Sequence, residues 1–169
     1  MKTLIIYTTL TGHTKVLANA IKGKLEEVDI NEVKINTRVS KYKLFRIFKI
    51  VFLDFILNKI SYTHQKFDET EYDLIIIGFP IWRGEMPIFF KNILLQYNLS
   101  EKAVAFFCTH GSKEKSIHSQ YLSDLKTNSL IATYCCQSPI KVNPPEEKER
   151  LRKFILQIES KMDNLFKYS

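Results

Sequence analysis

With 169 residues, of which 45% are apolar and 25% charged, the chain can bury the core of one soluble globular domain and is too short for two. No basic segment precedes an apolar stretch at the N-terminus, so a secretory leader is not expected and the expected compartment is the cytoplasm. A net charge of +7 favours acidic partners, nucleic acid or an anionic membrane surface.

The apolar run Leu4-Ile5-Ile6 predicts a strand ending at about Tyr7, and Val16, Leu17, Ala20 and Ile21 predict a helix from roughly Gly12 to Glu27. Between them stand Thr8, Thr9, Leu10, Thr11, Gly12, His13 and Thr14. The first N–H groups of a helix have no partner inside it and carry partial positive charge, so this junction is a seat for an anion, with threonine hydroxyls around it. A nucleotide triphosphatase loop needs Gly-x-x-x-x-Gly-Lys-Ser/Thr, but here Lys15 follows Thr14 with a lone glycine upstream. The Gly-x-Gly-x-x-Gly of dinucleotide sites is missing too. A neutral, hydroxyl-rich cup for a single phosphate remains, and so does a Thr-rich helix cap with no ligand, since Ser and Thr favour helix starts anyway.

This stretch resembles the phosphate loop of the flavodoxin family, whose members bind flavin mononucleotide (FMN). The family's Thr-x-Thr-Gly-x-Thr core is met by Thr9-Leu10-Thr11-Gly12-His13-Thr14, with Ile5, Ile6 and Tyr7 ahead of it and Ala18 and Ile21 behind. His13 stands where asparagine or glutamine often occurs. Flavodoxins that serve as soluble carriers are typically acidic, and this chain departs from them in charge.

Further along, Ile30, Val33 and Ile35 predict a short strand over Asp29 to Thr37. From Lys41 to Ile60 a helical face of Leu44, Ile47, Phe48, Val51, Phe52, Phe55 and Ile56 is joined by apolar residues on other faces and by Lys41, Lys43, Arg46 and Lys49. Its apolar run is too short and too interrupted by charge to span a bilayer. It reads as a crossover helix or loop packed on the sheet, or else as a docking surface for a partner subunit, an apolar acceptor such as a quinone, or the membrane surface.

Asp73 to Gly78 is a continuous apolar run of the kind buried in parallel sheets. Pro80, Ile81, Trp82, Arg83 and Gly84 follow it, and Pro87 can open a helix carrying Ile88, Phe89, Ile93 and Leu94. The wording P-I-W-x-G is similar to the loop that covers the isoalloxazine ring in flavodoxin-like proteins. The resemblance implies that Trp82 stacks on the ring and that the peptide near Gly84 contacts flavin N5. Lys102 to Thr109 is a fourth strand, and Thr109, His110, Gly111 and Ser112 resemble a third flavin-contacting loop, although T-H-G-S also suits a plain strand-to-helix turn.

A helix from about Ser116 to Leu125, a strand from Leu130 to Cys136 and a closing helix opened by Pro144-Pro145 complete the pattern. The expected fold is α/β, a single-domain doubly wound five-stranded parallel sheet of order 2-1-3-4-5 with helices on both faces. Loops after the first and third strands then meet at the topological switch point, so the phosphate cup and Trp82 face one crevice. Cys108, Cys135 and Cys136, an odd number in apolar contexts, read as reduced core thiols, and no metal site is expected among them.

The expected function is electron transfer by an FMN-binding protein, with a reductase and an acceptor as partners. No catalytic acid, base or nucleophile is assigned, because the redox chemistry belongs to the flavin. Two other readings stand beside it. One is an FMN-dependent oxidoreductase acting on a quinone, a porphyrin precursor or another planar substrate; the other is a flavin-free basic scaffold, with nucleic acid not the expected partner. Arg83, His110 and Lys113 beside the flavin loops, opposed only by Glu85 and Glu114, are expected to stabilise the reduced, anionic flavin.

Overall fold

The structure, a computed structural model, describes residues 1–36, 49–52, 60–111, 125, 127, 129–137 and 144–167. Its centre is a sheet of strands whose inner positions form continuous apolar runs. β1 (Thr3–Thr8), β4 (Leu74–Pro80) and β5 (Ala103–His110) are buried almost throughout, as parallel strands covered on both faces must be. β1 pairs with β2 (Val28–Ile35) on one side and β4 on the other, β4 pairs with β5, and β5 pairs with β6 (Leu130–Gln137), all in parallel.

Alternate side chains point to opposite faces. Ile5, Tyr7, Ile76, Ala105 and Phe107 meet Leu17, Ala18 and Ile21 of α1 (His13–Lys22) and Leu151, Phe154 and Ile158 of α3 (Pro145–Lys167). Leu4, Ile6, Ile75, Ile77 and Phe106 meet Phe89, Phe90, Ile93 and Leu94 of α2 (Ile88–Leu94). Gly78 lies under the Phe107 ring, which occupies the space a Cβ would need.

The doubly wound order 2-1-3-4-5 is present in the order β2-β1-β4-β5-β6, and the sheet has a sixth strand beyond the five expected. β3 (Tyr62–Thr63) pairs antiparallel with Lys34 and Ile35 and covers the carboxyl-terminal end of the outer edge of β2. A two-residue strand is too short to leave a period-2 signal. α1 ends at Lys22 instead of Glu27, because Gly23 caps it and Glu27, at φ 48°, turns the chain into β2.

The cysteine expectation is corrected. Cys108 and Cys135 are register partners on β5 and β6, with Cα atoms 4.7 Å apart, and are joined as a disulfide. Cys136, one residue on, points to the opposite face and is a free, buried thiol. Strand register brings the pair together across a separation of 27 residues, which cysteine spacing does not reveal.

Of the Lys41 to Ile60 segment only 49–52 and Ile60 are described: 49–52 are helical, with Ile50 buried and Phe52 exposed. The rest of it, and all but Leu125 of the helix expected over Ser116 to Leu125, lie outside the described residues. No helix among the described residues is long and apolar enough to cross a membrane.

Candidate functional site

At the carboxyl end of β1 the chain turns into α1 through Gly12, whose φ of 90° is a left-handed conformation. A Cβ there would meet nothing within 4 Å, so the backbone angle and not lack of room calls for glycine. The Thr9 hydroxyl oxygen accepts the Gly12 N–H at 3.0 Å, folding the loop back on itself. Val16 N–H donates to Gly12 carbonyl at 3.1 Å, which leaves the N–H groups of His13, Thr14 and Lys15 at the open end of the helix. Thr11 is exposed beside them, and Leu10 and His13 are half-buried.

The neutral character of this cup has a structural cause. Lys15, the nearest cation in the chain, holds its Nζ 2.9 Å from Oε2 of Glu32 on β2, and the same oxygen accepts the Tyr7 hydroxyl at 3.1 Å. Burial, and then the Glu32 charge, push the Tyr7 phenol well above its ordinary range, so it stays a neutral donor. Thr8, fully buried, gives its hydroxyl proton to the Val33 carbonyl at 3.0 Å and so joins β1 to β2 inside the sheet.

The loop after β4 forms a tight hairpin. Trp82 and Glu85 exchange both backbone hydrogen bonds, at 2.8 and 2.9 Å, across Arg83 and Gly84. Both turn residues have positive φ, 52° and 98°, the signature of a type I′ turn, which asks for glycine at one position and imposes strain on Arg83 at the other. The half-buried Trp82 ring leans on Phe89, centroids 6.1 Å apart and tilted 37°. Phe89 in turn meets Tyr62 of β3 at 5.7 Å, so an aromatic row backs the hairpin. Arg83 and Glu85 are exposed, and Pro80, Ile81 and Gly84 are half-buried.

The third loop leaves β5 through Thr109 and His110, both buried, and then Gly111, which is exposed. Ser112 lies outside the described residues. Thr109 joins the three segments: its hydroxyl lies 3.1 Å from that of Thr14, and its carbonyl accepts the Ile81 N–H at 2.8 Å. The Thr9–Thr14 loop and the Trp82 hairpin are each thereby tied to the end of β5, at the switch point where β1 and β4 lie side by side. Glu32 and Phe89 were not foreseen as part of this region. The first is brought in by the register Tyr7↔Glu32, the second by the helix that follows the hairpin, and neither belongs to a local motif.

Comparison with known proteins agrees with this geometry. The family model described as Flavodoxin matches residues 2–134. The flavodoxin-like domain-containing protein BilS of Clostridioides difficile (strain CD3) is 25% identical over 147 residues, covering 83% of this chain and 68% of that protein. A flavoprotein in complex with FMN from Lactobacillus acidophilus NCFM superposes with a TM-score of 0.66 at 22% identity, over 90% of this chain and 97% of that one. Oxidised flavodoxin 2 from Bacillus cereus gives 0.63 at 21% identity, over 95% and 99%. The chain belongs to the flavodoxin family.

Proposed function

We propose that this chain binds FMN at the switch point and carries electrons in the cytoplasm between two protein partners, a reductase and an acceptor. The observation that carries the reading is the union of an anion cup with an aromatic hairpin through Thr109. The donor set suits one phosphate: open N–H groups of His13, Thr14 and Lys15, the Thr11 hydroxyl, and a lysine already engaged by Glu32. Trp82, supported from behind by Phe89, offers an apolar face for a planar ring, and the Arg83–Gly84 turn, with Arg83 exposed, borders it. The bound flavin supplies the redox chemistry, while the protein binds and orients it and sets its electrostatics. The Lactobacillus relative, a complex with FMN on the same fold, supports the choice of cofactor.

A carrier and an enzyme differ in what they do alone. The FMN-loaded protein is expected to be reduced by NADPH only when a flavoprotein reductase is added, and to show no steady turnover of NAD(P)H with a quinone in its absence. Sustained turnover without a reductase would contradict the carrier reading.

A further inference from the structure

Thr109 uses its two polar groups in different directions. Its carbonyl holds the entry to the Trp82 hairpin through the Ile81 N–H, and its hydroxyl faces Thr14 at the head of α1. The pair is buried, with Thr14 1% and Thr109 4% exposed, so water does not replace either partner. Two hydroxyls carry two protons, and one suffices for the bond between them. When Thr109 donates, Thr14 keeps its own proton to offer at the cup.

We propose that Thr109 is a positioning residue for the anion cup: its hydroxyl fixes Thr14 and the first turn of α1 and does not itself hold the ligand. The inference rests on the FMN reading above and adds to it that the phosphate loop is set from β5, 95 residues away in the chain. Removing one partner of a buried hydrogen bond leaves the other unsatisfied, whereas removing both for apolar groups of the same shape is nearly neutral. Thr109→Val keeps the shape and the carbonyl to Ile81, so it breaks only the Thr14 side.

The test titrates wild type, Thr109→Val and Thr109→Ser with FMN and with riboflavin, which lacks the phosphate, following Trp82 fluorescence. Thr109→Val is expected to weaken FMN about tenfold. Riboflavin affinity stays within about twofold, and Thr109→Ser restores FMN binding. Equal loss of both flavins would assign the hydroxyl to the ring or to the general stability of the site, and unchanged FMN affinity would deny it any role; either result overturns the inference while leaving the FMN reading intact. In the flavin-free protein, Thr14→Val with Thr109→Val should unfold at a urea midpoint closer to wild type than the summed losses of the single variants. Additive losses would overturn the inference whether or not the wild type binds flavin.

Discussion

Two glycines near the site carry opposite expectations. Gly12 is held at φ 90° with open space around it, so Gly12→Ala meets no clash and pays instead in backbone strain, about 1–2 kcal/mol. Relaxing that strain rotates the N–H groups that open α1, so FMN affinity should fall together with the urea midpoint. Gly111 has the same open space and no positive φ, and Gly111→Ala should leave stability within about 0.5 kcal/mol of wild type. Equal effects of the two substitutions in urea melts would contradict the strain argument. At this scale the sequence was informative where a motif is local. Thr9 to Thr14 could be read as a loop and helix head because the residues are consecutive and the loop closes on itself through Gly12 N–H to Thr9. The partners of Lys15 and Thr14 could not be read, since Glu32 and Thr109 arrive through strand register.

Among the elements, β1, β4 and β5 were legible because burial on both faces leaves an unbroken apolar run. β3 and the Cys108–Cys135 pairing were not, one for want of length and the other because only register brings the cysteines together. The joint between β6 and α3 makes a pH prediction. Glu147, in the first turn of α3, accepts the Tyr134 hydroxyl at 2.6 Å and is paired with Arg150, which also donates to the Cys135 carbonyl at 2.9 Å. Burial alone would raise the Glu147 carboxyl, but the hydrogen bond from Tyr134 and the Arg150 charge outweigh it and hold the group below its ordinary 4.5. The unfolded chain therefore binds the proton more tightly than the folded one. The contribution is fully present above about 4.5 and is lost as pH falls through the lower, folded value. In urea melts across that range, Glu147→Gln should show a shallower loss of stability on acidification than wild type. Parallel curves would show that the carboxylate does not anchor the helix. On the alkaline side, burial and then the hydrogen bond to Glu147 keep the Tyr134 phenol neutral beyond its usual range, and burial pushes the Cys136 thiol up to about 11.

The molecule as a whole is a doubly wound sheet with a basic balance of +7. Acidic surroundings disfavour the reduced, anionic form of a flavin, and here Arg83 stands in the hairpin beside Glu85 while Lys15 at the cup is paired with Glu32, so acids are not in excess around the site among the described residues. The potential of bound FMN for its second electron is expected to be less negative than in acidic flavodoxins; a redox titration returning values as low as theirs would contradict this. A basic surface also favours partners with acidic faces, whose association should slow as salt rises. All of this depends on the flavin being bound where Trp82 can meet it. The most direct measurement is therefore a titration of the purified protein with FMN, following flavin absorption and the fluorescence of the single tryptophan in wild type and Trp82→Ala. Saturable binding with quenching in the wild type, and weaker binding in the variant, is the predicted result; FMN in large excess that neither binds nor quenches would contradict the account.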